Sequence, residues 1–474
     1  MSLRNPVLEI EPGKPFENCK LEREKYSDVL TEIVSSYYDG FVLAINNRWG
    51  EGKTTFVKMW QQALIDKKFQ TVYFNAWEND FEDNPLTALM GELKTLTNKE
   101  TEPKFQKALK NASILTTHIA PVLAQALVDK YVVDTKGIKD IIVNASKGLA
   151  DIFENDVNNY QKKKVGISNF KKSLAKFIAD SNNGKPIIFI IDELDRCRPN
   201  YAVSILEQIK HFFSVPNIVF VLSIDKKQLG NAIRGVYGSD RINSDEYLRR
   251  FIDVEYSIPR PPNDLFYKYL IDKLNFDEFF QSPERKKYRE LVDDKERFLN
   301  TCRLLFNNSN IVLRQQERIL ILSRLSLRTY TFNNYVYPSV YLVLIYIKIL
   351  KDEFYQKIIS KKLSFSELQN ELFNLFADSV TDRNRREIMF IEVYFLMFYN
   401  NFKYEHHEKR ELYDRGESFE DKDKKLLIHS MFGKDYDSEF LFTIINIERA
   451  NYNSNSFSLE HIIKKIDLLE SLKA

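Results

Sequence analysis

Over its first 260 residues the chain alternates short β-branched or aromatic runs with longer amphipathic stretches. That rhythm predicts strands and helices taken in turn, the order of a parallel sheet. Four runs read as strands: Phe41–Ile45, Thr71–Asn75, Pro186–Asp192 and Asn217–Ser223. Their continuous apolar cores, FVLAI, IIFII and IVFVL, suit strands covered on both faces. Between the second and third lies an insertion, about 84–181, that reads as several helices with charged seams. Pro259, Pro261 and Pro262 then interrupt the pattern. Proline breaks helices and ladders alike, so two domains are expected, 1–260 and 261–474. The second is helical in period, for example over Leu363–Phe376 and Ile388–Phe402.

Composition narrows the function classes. A chain of 474 residues is too long for one core, and 44% hydrophobic residues can fill two or three. Lys and Arg number 69 against 67 Asp and Glu, so no overall coat for nucleic acid exists. A local groove remains open around Lys162–Lys164, Lys171 and Lys172, with Phe170 among them. Cys19, Cys197 and Cys302 lie far apart, which excludes a disulfide framework, and the six histidines form no zinc-ligand pattern. The amino terminus lacks a signal-peptide core, predicting a cytoplasmic protein. Asn111–Val128 is uncharged over a near-membrane length, but Thr116, Thr117, His118, Pro121 and Gln125 make it a helical segment rather than a span.

The chemistry begins after the first strand. Asn47-Arg48-Trp49-Gly50-Glu51-Gly52-Lys53-Thr54-Thr55 stands between FVLAI and the amphipathic run Thr54–Lys67. Strand, glycine loop, lysine, hydroxyl and helix is the arrangement that wraps a triphosphate. Glycines turn backbone N–H groups inward as an anion nest at the positive end of a helix. Lys53 is assigned to the β- and γ-phosphates and Thr54 to Mg²⁺. The pattern GxxxxGK[ST] has Asn47 at its first glycine position, and asparagine's tolerance of positive φ is expected to let the loop close.

A magnesium-nucleotide site also needs a buried strand ending in carboxylates. Ile187–Asp192, followed by Glu193, fits: Asp192 serves the metal and Glu193 polarises the attacking water. Asp195 and Arg196 join this site or form a local ion pair. Ser223 and Asp225, at the end of the next strand, sense the γ-phosphate or form an ordinary strand end and helix cap.

These motifs make the chain resemble the KAP family of P-loop NTPases, through RWGEGKTT at 48–55, YFNAWEND at 73–80, IIFIIDELDRCRP at 187–199 and FVLSIDKKQL at 220–229. The phrase holding Asn75 and Trp77 discriminates best, because generic phosphate-loop proteins lack it. The resemblance covers the first 260 residues well and the rest loosely. It implies an α/β P-loop NTPase fold of the additional-strand, RecA/AAA-like kind, with a parallel sheet flanked by helices, a helical insertion and an all-α C-terminal lid. ATP and Mg²⁺ are the implied ligands, and assembly as a homo-oligomer or with partner proteins the implied behaviour. Many relatives carry paired membrane spans in the insertion, whereas here 111–153 does not read as a membrane hairpin. Bacterial members are associated with phage exclusion.

Hydrolysis further needs positive charge on the γ-phosphate. Tyr247–Asp253 is similar to the AAA-type segment that presents an arginine finger to a neighbour, with Arg250 the first choice and Arg249 the second. Arg314, opening the amphipathic run after Val312, is similar to the lid arginine that reads the γ-phosphate in cis. Tyr26 and Leu21 are candidates for the base pocket from chain order alone. The leading expectation is an ATPase switch. A nucleotide-binding scaffold with negligible turnover and a nucleic-acid-stimulated ATPase are the alternatives.

Overall fold

Five parallel strands form the central sheet of the first unit, and their order places every phosphate-site motif at one end. The computed structural model describes residues 9–37, 40–112, 142–182, 184–212, 214–307, 311–404, 407–414, 424–450 and 457–468. The chain divides into two units at the Pro259–Arg260 peptide. In the first, β1 (Val42–Asn46), β2 (Thr71–Asn75), β3 (Ile187–Asp192), β4 (Ile218–Ile224) and β5 (Val254–Tyr256) stand in the order β2-β3-β4-β1-β5. The strand carrying the phosphate loop is thus separated from the acidic strand by β4. This is an additional-strand P-loop sheet.

The predicted burial is complete in two strands, where all six residues of β3 and all seven of β4 are buried. In the FVLAI run it holds for Leu43–Ile45 but not for the partly exposed Phe41 and Val42. The edge strand β5 escaped the pattern because it is three residues long and half exposed. Period-2 alternation sorts the side chains between two faces. Leu43, Ile45, Ile188, Ile190, Val219 and Val221 pack against α1 (Glu24–Ser36) and α2 (Lys53–Asp66). Helix α2 presents Phe56, Val57, Trp60, Ala63 and Leu64 to them at helical spacing. The opposite face, with Ala44, Phe74, Phe189, Ile191 and Leu222, is covered by α3 (Pro85–Leu93), a helical stretch at 102–112, the end of α4 (Ile142–Ser181) and α5 (Pro199–Phe212). Helices α6 (Lys226–Tyr237) and α7 (Ser244–Leu248) precede β5.

The insertion joins the core at its two ends, where Phe105 and Phe177 pack ring to ring at 5.2 Å. Phe170, offered as a stacking residue of a basic groove, is instead fully buried there, because its helix needs an apolar face toward the sheet. The uncharged stretch 111–128 lies outside the described residues from 113 onward. No helix among the described residues is long and apolar enough to cross a membrane.

Among the described residues the second unit is built of helices apart from a two-residue antiparallel pairing of Tyr413–Asp414 with Lys425–Leu426. Pro338–Leu350 is its central helix, apolar nearly all round and buried from Val340 to Ile347. Leu313–Leu327, Arg385–Lys403 and Leu459–Ile466 contribute to the same core. Ser364 and Glu367 form a reciprocal capping box at the start of Phe365–Phe376.

Candidate nucleotide site

Strand β1 delivers the chain into a loop whose turns need glycine. Gly50 and Gly52 have φ of 82° and 77°, a region L side chains rarely adopt. Gly52 is also the N-cap of α2, and no side chain caps that helix. First-turn N–H groups have no partner within a helix, so this end attracts an anion. Lys53 opens the helix and folds back: its Nζ donates to the Asn47 carbonyl at 2.5 Å and the Arg48 carbonyl at 3.4 Å. Burial lowers the pKa of this ammonium, and Asp195, Asp225 and Asp192 oppose the shift.

Asn47 closes the loop by a route other than the one expected. It is absent from the positive-φ residues. Instead its side chain donates to the Ile258 carbonyl at 2.8 Å and accepts from the Ile258 N–H at 2.9 Å, tying the loop entry to the chain beyond β5. A side-chain amide that mimics a strand partner substitutes for the glycine.

Register brings the acidic strand to the same place. Asp192 pairs with Asn75 on one side and Ser223 on the other, and Ser223 with Ile45, so these side chains share the α2 face. Asp192 is buried; its Oδ2 accepts from the Tyr73 hydroxyl at 2.9 Å and its Oδ1 from the Glu193 N–H at 2.9 Å. Burial first, then Asp192, pushes the Tyr73 phenol up, which keeps it a donor. Tyr73 was missed in the sequence, although its place two residues before Asn75 on the same face is the signal that finds it.

Glu193 sits at φ 61°, a left-handed conformation costing about 1–2 kcal/mol without glycine. Its Oε1 lies 3.5 Å from the Thr54 hydroxyl, and Arg196 holds Oε2 at 2.8 Å. Of the two alternatives for Asp195 and Arg196, the local ion pair does not form, because the 3-10 turn Leu194–Arg196 returns Arg196 toward Glu193. Asp195 is buried and accepts from the Trp49 indole at 2.5 Å and the Asp225 N–H at 2.7 Å. Burial raises its pKa, with Lys53 the largest opposing influence. Asp225 caps α6 and also accepts from the Trp49 N–H at 3.1 Å, so cap and loop contact coexist in one residue. Ser223 is fully buried and its hydroxyl has no hydrogen-bond partner. Thr55 and Arg48 are exposed beside the loop.

The arginines divide. Arg249 and Arg250 are both exposed after α7, and Arg249 pairs with Glu246 at 3.2 Å. They lead into β5 where Asp253 bonds Val42, the entry of β1, about five residues or ~16 Å of strand from the loop. Phe251 lies under Lys210, near the end of α5. Arg314 is exposed in the first turn of Leu313–Leu327, in the second unit.

Glycine loop, capless helix, strand order and paired carboxylates make one phosphate-binding arrangement. Residues 23–330 match the KAP family P-loop domain. The chain belongs to that family. It is also similar to the uncharacterized protein MJ0182 of Methanocaldococcus jannaschii, 32% identical over 180 residues and covering 32% of this chain and 89% of that protein. Among solved structures it is similar to the Aeropyrum pernix ORC2 protein (ADPNP-ADP complexes), at TM-score 0.33 and 13% identity over 90% of this chain and 95% of that one. So remote a likeness carries no argument; strand order and the family match carry the fold. In this KAP domain the family phrase 73–80 lies at the site's edge. Ala76 N–H bonds the Asp192 carbonyl at 2.9 Å, extending β2 past Asn75. Arg196 is flanked by the rings of Trp49 and Trp77, each 5.9 Å from its guanidinium. The KAP phrase thus meets the loop and the acidic turn through one cation.

Proposed function

We propose that this chain binds ATP with Mg²⁺ at the phosphate loop and hydrolyses it as an assembly switch. The observation that carries this reading is the convergence at the strand ends: Asp192 beside the unpartnered Ser223 hydroxyl, with Glu193 facing Thr54. The donor set suits magnesium. Among the described residues no three His, Cys, Asp or Glu cluster into a metal cage. Mg²⁺ takes one or two protein oxygens and completes its shell with phosphate and water, and Thr54 with Asp192 supplies such a pair. When bound, the ion neutralises phosphate charge. Lys53 leaves its loop carbonyls for the phosphates, Ser223 gains a partner, and Glu193 orients water by releasing a contact.

Arg250 points the reading toward a neighbour. Its approach to β1 from the far end argues against reaching its own loop, so it acts on a second copy's nucleotide, with Arg249 in reserve. The setting we propose is phage exclusion, following bacterial relatives. The scaffold reading has one observation in its favour, since Glu193 is held by Arg196.

Turnover against protein concentration, for wild type and Glu193→Gln with oligomeric state measured alongside, tests the proposal. Turnover per subunit should rise with assembly, and Glu193→Gln should bind a non-cleavable analogue without hydrolysing ATP. Flat activity across monomer and oligomer sinks the neighbour's arginine. Tight binding with no wild-type turnover at any concentration establishes the scaffold instead.

A further inference from the structure

Arg23 immediately precedes α1, far in sequence from the loop, and its side chain reaches the loop's outer side. The residue is 4% exposed, and Nη1 donates to the carbonyls of Glu51 at 2.9 Å and Gly52 at 3.3 Å. The approach is close: a Cβ on Gly52 would stand 3.1 Å from Nη1. Gly52 therefore makes room for the arginine as well as for the left-handed turn. Nε is buried without a partner, and among the described residues no carboxylate forms an ion pair with this guanidinium. Burial lowers its pKa against Cys19, Glu51 and Tyr26, yet an arginine remains charged. A buried cation satisfied by carbonyls alone is costly.

The peptide geometry gives that charge a use. A trans peptide sets its C=O and N–H on opposite sides, and no peptide here is cis. The carbonyls of Glu51 and Gly52 face Arg23, so the N–H groups of Gly52 and Lys53 face away from it. A cation bonded to the oxygen polarises the peptide and strengthens its N–H as a donor. We propose that Arg23 is a positioning residue for the triphosphate: it fixes these two peptides and sharpens their amides toward phosphate oxygens. Its own charge is offset when the anionic nucleotide arrives. This inference rests on the nucleotide-binding reading above.

The experiment titrates full-length wild type, Arg23→Met and Arg23→Lys with a fluorescent non-cleavable ATP analogue, ADP and AMP, and follows thermal unfolding with and without nucleotide. Arg23→Met should weaken the analogue about 10- to 100-fold and ADP similarly, with AMP affected less. Its nucleotide-free Tm should equal or exceed that of wild type, because a desolvated charge is removed, while the nucleotide-induced rise shrinks. Arg23→Lys keeps the charge but not the guanidinium geometry and should fall between. Analogue affinity within about twofold of wild type in both variants overturns the proposal. So does equal weakening of AMP and the analogue together with a lowered nucleotide-free Tm, the mark of a merely structural role. If Arg23→Met does not fold, Arg23→Lys decides alone: intermediate affinity supports the proposal and wild-type affinity overturns it. Wild type that takes up no nucleotide refutes the underlying reading, a result distinct from variants that match a binding wild type.

Discussion

The two units differ in where some of their buried polar groups find partners. In the second, each buried charge among the described residues ends on a partner that folding alone supplies. Arg285 is fully buried, pairs with Asp294 and donates to the carbonyls of Phe332 and Asn334. Glu392 accepts from Gln369, Ser430 and the Met431 N–H, joining two helices to the 429–431 stretch. Lys465 donates to the Thr329 carbonyl at 2.9 Å. In the first unit Lys53 rests on carbonyls of its own loop, Arg23 on two more, and the Ser223 hydroxyl on none. The carbonyls under Lys53 and the open side of the Ser223 hydroxyl can be exchanged for a ligand without unfolding anything, while Arg23 keeps its carbonyls and holds the loop that does so. Burial alone does not mark function; exchangeable burial does.

The sharpest way to break the contrast is at the exposed arginines of the first unit. Arg250→Ala should lower turnover of the assembled protein by about 10³–10⁵-fold if it serves a neighbour's phosphate. Arg249→Ala, already paired with Glu246, should change it little. Mixing Arg250→Ala with Lys53→Ala subunits should restore part of the activity, since each supplies what the other lacks. No recovery on mixing, with turnover intact in Arg250→Ala alone, would remove this residue from the chemistry. Lys53→Ala comes next. Losing a charged phosphate contact should weaken analogue binding by about 100-fold or more, measured by titration, and leave the second unit's stability untouched.

Much of the first unit was legible because its signals are local. IIFII can only be a strand covered on both faces, and a glycine loop before an amphipathic run has few other uses. The extra strand between β1 and β3 was implied only by the family resemblance, and β5 needed the structure: three residues with an exposed Glu255 carry no alternation to read. Contacts between distant segments were also invisible. Nothing near Arg23 announces Glu51, and Tyr73 meets Asp192 only because β2 pairs with β3 in that register. For Arg196 the sequence left two alternatives, the site or a local pair with Asp195, and only the turn after Asp192, which favours the i,i+3 contact with Glu193, decides between them. In the second unit, periodicity revealed helices but not which polar residues close on one another.

Glu392 sharpens the comparison from the other side. Burial pushes its carboxyl up from 4.5 to about 7, with Asp437 adding to the rise and the bonds from Met431, Gln369 and Ser430 opposing it. A folded pKa above the unfolded one gives a contribution fully present below about 4.5 and lost as pH climbs through 7. Between pH 5 and 8 the wild type should therefore lose about 2.5 kcal/mol relative to Glu392→Gln. Ser430 can rotate its hydroxyl to accept from the new amide. Amide exchange along Arg385–Lys403 reads this unit. Trp49, Trp60 and Trp77 all lie in the first unit, so tryptophan fluorescence reads the other. A pH effect of equal size on both probes would deny that the charge is local to the second unit.

The smallest effect tests the loop entry. Asn47→Gly restores the GxxxxGK[ST] pattern, and a motif-based view expects improvement. The hydrogen bonds argue the reverse. Both polar groups of Ile258 are held by the Asn47 side chain, and Ile258 is 3% exposed, so removing the amide strands a buried N–H and carbonyl. Each lost bond contributes about 1 kcal/mol, so Asn47→Gly should destabilise the first unit by about 2 kcal/mol in urea, followed by tryptophan fluorescence. Asn47→Asp should be worse, because it retains the acceptor for the Ile258 N–H but sets a carboxylate against the Ile258 carbonyl. If the glycine variant matches or exceeds wild-type stability, the bond to Ile258 is incidental. Asn47 would then be a tolerated departure from the motif rather than the device that closes the loop.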